Sequence, residues 1–117
     1  MSELHRAKLA FEQVAAVKEL DNYKINIRKM PMMIQVNGLA QTVSFYRTKK
    51  EQHGVILKHL YDHLLQNELI EGNANQDLVE TVISLNSENY RIVTSEVMSY
   101  LQWLKRFADG RDALDRK

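Results

Sequence analysis

Cysteine is absent from the 117 residues, which excludes disulfides, thiolate nucleophiles and cysteine-bound metals and leaves nothing that ties the chain to an oxidising compartment. One proline and four glycines are too few for a turn-rich β architecture, while Leu, Ala, Glu, Lys and Gln supply strong helix propensity. No apolar run approaches the roughly 20 residues of a membrane span, and 26% of the side chains are charged. Met1 to Arg6 turns helical and charged at once, without the basic stretch, apolar core and small-residue cleavage site of a secretory leader. The expectation is a cytoplasmic all-α protein, a compact bundle of about five helices in a single domain over residues 1–117.

Charge of one sign is also missing, locally. The formal net charge is only +1, which neither favours nor excludes a nucleic-acid partner. From Asn22 to Lys50, however, there is no Asp or Glu, only Lys24, Arg28, Lys29, Arg47, Lys49 and Lys50. From Leu60 to Asn89 there is no Lys or Arg, only Asp62, Glu68, Glu71, Asp77, Glu80 and Glu88. The near-neutral total conceals two blocks of opposite sign.

Ser2 is placed to cap a first helix running to about Asp21, with Leu4, Ala7, Phe11, Val14 and Val17 on its buried face. Asn22-Tyr23-Lys24 breaks that pattern. Pro31 then falls in the first turn of a second helix reaching about Lys49, with Met33, Val36, Ala40, Val43 and Tyr46 inward. The helical period continues through Asn37-Gly38, so Gly38 reads as a helix-interior glycine, whose cost of about 1 kcal/mol against alanine implies close approach of a neighbour. A third helix, about Glu51 to Leu69, buries Leu57, Leu60 and Leu64 and is capped near Gly72. A short fourth covers about Gln76 to Leu85. A fifth, capped by Asn86 or Ser87, aligns Tyr90, Val93, Val97, Tyr100, Leu101, Leu104 and Phe107 and closes at Asp109-Gly110. Residues 111–117 form a charged tail expected to fray.

Chemistry-bearing patterns are sparse. His59 and His63 lie four apart on one helix, but without cysteine or a HExxH glutamate they read as a solvated or capping pair. No strand-to-helix elbow, phosphate-cradling glycine loop or paired carboxylates in a cleft point to catalysis. No enzyme, cofactor or metal site is expected. Trp103, Tyr100 and Phe107 share a helical spacing that favours packing on protein over stacking on a base. The basic block is the functional candidate, because lysine and arginine bracketing the second helix suit a phosphate backbone. A domain with one basic and one acidic region also suits head-to-tail association with its own copy. Two rivals stand beside RNA binding. One is a small helical DNA-binding regulator built on a helix-turn-helix order at Gln76 to Ala108, and the other is an adaptor that touches protein alone.

Two stretches carry a resemblance. Lys29-Met30-Pro31-Met32-Met33-Ile34-Gln35-Val36-Asn37-Gly38-Leu39-Ala40-Gln41-Thr42-Val43-Ser44-Phe45 resembles a K-x-P-x-x-I-x-x-N-G-L-x-Q-x-x-x-F pattern, and Tyr90 to Glu96 with Tyr100 to Ala108 is similar to Y-R-x-x-T-x-E followed by Y-L-x-W-L-K-R-F-A. Both patterns are those of the small subunit of the type III-B CRISPR effector, the Cmr or RAMP-module complex, and Arg6-Ala7 adds a shorter match. The resemblance implies a non-catalytic helical bundle, a few copies of which stack beside the backbone subunits that hold the guide RNA. Together they help form a positively charged path for the target RNA, while cleavage belongs to backbone and large subunits. The partners implied are those subunits, guide and target RNA, and further copies of the chain; no membrane is involved. Arg6, Lys29, Lys105 and Arg106 match basic motif positions and become candidates for phosphate contact. Lys24, Arg28, Arg47, Lys49 and Lys50 join them from the charge block alone. Asn37, Gly38 and Gln41 read as packing and polar bonding between helices.

Overall fold

The helical periodicity of the sequence is realised as six helices in the computed structural model, which describes residues 3–72 and 76–115, with the side chains of residues 50–53 outside the described set. They are α1 (Glu3–Ala15), α2 (Leu20–Asn37), α3 (Leu39–Thr48), α4 (Lys50–Gln66), α5 (Leu78–Ile83) and α6 (Ser87–Asp115). No strand occurs among the described residues. At about 1.5 Å per residue, the 29 residues of α6 span most of the longest dimension, 47 Å. Helices α1 and α2 pack along this spine, α4 touches it as well, and α3 and α5 complete the bundle. Most of the core between them is apolar: Ile27 and Met30 from α2, Leu39 and Val43 from α3, Ile56, Leu60 and Leu64 from α4, Val82 from α5, and Val97, Leu101 and Leu104 from α6 are all buried.

Several helix boundaries depart from the expected ones, each for a local reason. Helix α1 ends at Ala15, not Asp21, and the chain re-enters helix at Leu20, so Asn22-Tyr23-Lys24 is helical. The end of α1 is held from outside, because Arg111 Nη1 donates to the carbonyls of Val14 at 2.8 Å and Val17 at 2.6 Å. That contact also explains why α6 runs through Gly110 to Asp115 where fraying from Arg111 was expected. Its last turns are further tied by Lys24, whose ammonium lies 3.4 Å from Asp109 and 2.9 Å from Asp112. Ser2, the expected first cap, lies outside the described residues.

Pro31 lies in the interior of α2 rather than in a first turn. It removes the bond to the Ile27 carbonyl, a cost of about 3 kcal/mol, which burial of Ile27, Met30 and Ile34 around it offsets. The true break comes at Gly38, with φ +86° and ψ 161°, a region essentially reserved for glycine. This elbow closes one helix and opens the next: the Gly38 N–H donates to the Ile34 carbonyl at 2.8 Å, and the Gly38 carbonyl accepts from Thr42 Oγ1 at 2.8 Å. Tyr90 of α6 locks it by accepting the Ala40 N–H on its hydroxyl at 2.9 Å. A Cβ at Gly38 would meet that hydroxyl at an ordinary 3.5 Å, so the constraint is the backbone angle and not the close approach expected from sequence. Gly38→Ala is therefore expected to cost about 1–3 kcal/mol, measured as a lower urea midpoint at unchanged slope.

Helix α4 stops at Gln66 with Asn67 as its cap, and Glu68, not Gly72, takes the left-handed turn at φ 57°, because the chain must reverse there to bury Ile70. Asp77 caps α5 by accepting the Glu80 N–H at 3.0 Å, and Asn86 caps α6 by accepting the Asn89 N–H at 2.8 Å.

Candidate nucleic-acid interface

Only part of the α1 stripe expected inside lies there: Val14 and Val17 are buried, but Leu4 and Phe11 are 81% and 60% exposed, and Val36 of α2, also expected inward, is 72% exposed. Helix α1 is turned so that Arg6 and Gln13 join Ala10 and Val14 on the inward side. Polar groups waiting in the core explain this rotation. Arg6 forks onto Glu96 of α6, Nε to Oε2 at 2.7 Å and Nη2 to Oε1 at 2.8 Å. On its other side, the same Oε2 lies 2.7 Å from Nε2 of the buried His63 of α4. The His63 ring stacks on Tyr100 at 3.7 Å and 8°. The Tyr100 hydroxyl donates to Gln13 Oε1, and Gln13 Nε2 donates to the His59 carbonyl at 3.1 Å. The Tyr23 hydroxyl is hydrogen-bonded to His59 Nδ1 at 2.8 Å.

These contacts correct the expectation of a solvated or capping histidine pair. The two imidazoles are structural groups, His59 hydrogen-bonded to Tyr23 of α2 and His63 to Glu96 of α6. The signal was present in the sequence, since His59 and His63 continue the stripe of Ile56, Leu60 and Leu64. Among the described residues no three His, Asp or Glu side chains gather as a metal site.

Burial disfavours charge on both rings. His59 is pushed down to about 4, and burial likewise lowers His63 despite the adjacent Glu96 carboxylate. A neutral His63 with its proton on Nε2 donates to Glu96 and accepts from Asn67 Nδ2 at 3.2 Å on Nδ1. Burial pushes the Glu96 carboxyl up, but hydrogen bonds from Arg6 and His63 outweigh it and hold the carboxyl below its usual range. The sign of the resulting pH dependence follows. Below about pH 6.5 the unfolded chain takes up protons on these histidines that the folded chain refuses until near pH 4 in the case of His59. Stability is thus complete above pH 6.5 and falls as the pH drops, by at most about 1.4 kcal/mol per pH unit for each histidine. Denaturant midpoints measured between pH 7.5 and 4.5 are expected to fall; a flat profile would place both rings in water.

The candidate phosphate-contacting cations divide by what they touch. Arg6 is committed to Glu96, Lys24 to Asp109 and Asp112, and Arg47 to Asp77 at 2.9 Å. Lys50 has its side chain outside the described residues. Lys29 and Lys49 are exposed and stand apart from the groove that collects the rest. That groove, of about 640 Å³, runs between α2 and α6. Residues 28, 31, 32 and 35 form one strip of α2, and residues 102, 105 and 109 form the facing strip of α6. Arg28, Lys105 and Arg106 line it with the amides of Gln35 and Gln102, and none of the three cations makes an ion pair among the described residues. Asp109 is the one acid in the lining, and Lys24 already engages it. Arg47 lines a different groove, with Lys58 and Asp77. The basic block of the sequence is thus split in space, and folding assembles a new one from α2 and α6.

The sequence model of the family described as CRISPR-associated protein (Cas_Cmr5) matches residues 2–111. The chain belongs to the Cmr5 family. It is also similar to the X-ray crystal structure of a CRISPR-associated Cmr5 family protein from Thermus thermophilus, at 25% identity and a TM-score of 0.72 over 90% of this chain and 92% of that one. Cmr5 membership bears out the resemblance to the small subunit of the type III-B Cmr complex, and the chain is a Cmr complex subunit. Both Cmr5-like motifs fall inside the matched span, and the structure shows what several of their residues do. Tyr90 locks the Gly38 elbow, and Glu96 anchors Arg6 and His63. Part of what makes the sequence recognisable as Cmr5 is therefore scaffolding, and Arg6 belongs to that part.

Proposed function

We propose that the protein is a non-catalytic, cytoplasmic subunit of a type III-B CRISPR ribonucleoprotein and that it holds RNA by its backbone along the α2–α6 groove. The supporting observation is the convergence of Arg28, Lys105 and Arg106, unpaired among the described residues, on one groove in a member of the Cmr5 family. Cations in such an array neutralise phosphates without reading bases, so base pairing with a guide supplies sequence selection. The chain sits beside guide-holding backbone subunits and the large subunit and steadies the target strand, in the service of antiviral defence. Copies add head to tail, a basic face of one meeting the acidic side of the next, where Glu68 and Glu71 border a groove between α4, α5 and α6, and the α2–α6 groove is left to the RNA. Among the described residues no helix is long and apolar enough to cross a membrane.

The test is a tagged copy purified from its native cells, with every co-purifying protein and RNA identified. Repeat-derived guide RNA together with other Cmr subunits is the expected result. A preparation carrying those subunits but making no RNA crosslink to α2 or α6 would leave a protein-only adaptor, and one carrying DNA alone would favour the regulator.

A further inference from the structure

Beside the basic groove, on the adjoining face of α6, lies another groove of about 670 Å³ between α1 and α6. Trp103 lines it, with Met98 as its other apolar residue and the hydroxyls of Ser95 and Ser99 and the amide of Gln102 beside them. None of those three polar side chains makes a hydrogen bond to a described residue. The Trp103 ring has one ring partner among the described residues, Phe107, at 5.6 Å and 24°, and Phe107 in turn meets Phe11 edge-on at 5.4 Å. The indole is thus braced from behind while its residue borders an open groove. Gln102 and Arg106 line both grooves, so the two sites share an edge.

We infer that the α1–α6 groove is a base-stacking subsite for single-stranded RNA, in which a base lies against Trp103 while its phosphate is held by Arg106 at the shared edge. This rests on the RNA-backbone reading above and adds to it a contact that the backbone alone cannot make. A braced aromatic gives a base a platform at low ordering cost, and stacking is tolerant of sequence because every base has a π-face. Free hydroxyl and amide groups suit the polar edges of a heterocycle. A partner helix would ask instead for a continuous apolar stripe, and the polar groups here interrupt one.

Trp103 is the sole tryptophan, so its fluorescence reports on this groove alone. The full chain is titrated with a short oligouridylate and with an abasic oligomer carrying the same number of phosphates. The expected result is quenching by the oligouridylate only, which also binds about tenfold more tightly. Trp103→Leu, checked for native helicity, brings the oligouridylate to the abasic affinity, while Trp103→Phe keeps most of the difference. Equal binding of both oligomers without quenching overturns the subsite and leaves the phosphate groove standing. Binding of neither overturns both. Quenching or spectral shift only on addition of purified Cmr partner subunits, with none from RNA, overturns the subsite in favour of a protein contact.

Discussion

Glu96→Ala is expected to destabilise the fold by about 3 kcal/mol, a fall in melting temperature on the order of 10 °C. The carboxylate is 10% exposed and is held by Arg6, itself 22% exposed, and by a His63 that is 1% exposed. Removing it leaves a guanidinium facing inward without its counter-charge and an imidazole without an acceptor for its Nε2 proton. Leaving such groups unpaired costs far more than the pair itself contributes. That asymmetry supplies a second arm. Replacing all three partners with apolar residues of similar size, Arg6→Met, His63→Leu and Glu96→Leu together, is expected to recover most of the lost stability, less the stacking of His63 on Tyr100. A single Glu96→Ala variant that melts like the parent would show that the network is not formed in solution. A triple variant worse than the single one would show that the network stabilises the fold outright.

Reversing Arg28, Lys105 and Arg106 to glutamate is expected to weaken RNA binding on the order of 10²-fold or more at low salt and to lower the slope of log affinity against log salt by about 2, at roughly 0.7 per phosphate on a single strand. The loss is the same for RNAs of different sequence, because contacts to phosphate carry no base information. These residues are exposed and outside the core, so native helicity is retained. Lys49→Glu serves as the contrast, since Lys49 is equally exposed but lies outside the groove, and its effect is expected to be small. Equal losses from the two variants would mean that RNA follows the charge order of the sequence and not the surface that folding assembles.

The sequence made the fold class legible because 3.6-residue periodicity survives nearly everywhere, and Asn86 announced the start of α6 by its chemistry. Other boundaries were hidden because tertiary contacts decide them. Pro31 is helix-interior only because its flanks are buried, and α6 continues past Gly110 only because Arg111 and Asp112 find partners on α1 and α2. Gly38 was marked as unusual by its cost in a helix, but the sequence does not reveal that the backbone turns there instead of passing through. Among the candidate cations the charge block pointed to Arg28, and the family resemblance pointed to Lys105 and Arg106. Neither source joins them, because the two strips are far apart along the chain and meet only when α2 packs on α6. Part of the inward face of α1 was misread for the same reason. Arg6 is shown to be an inward group only by Glu96, 90 residues later.

That distance bears on how the chain acquires its structure during synthesis. The contacts that seat α1 reach across separations of 90, 87 and 97 residues, from Arg6 to Glu96, Gln13 to Tyr100 and Val14 to Arg111. Closing loops of this length slows folding relative to a bundle built from neighbouring helices. On the ribosome, α2 to α5 can begin to associate while α1 has only its contact with α4, through Gln13 and the His59 carbonyl, and most of its inward face waits uncovered until the last helix emerges. Docking of α1 is then the closing event of assembly, and a chain released before α6 is complete leaves a helix for chaperones or proteases to find.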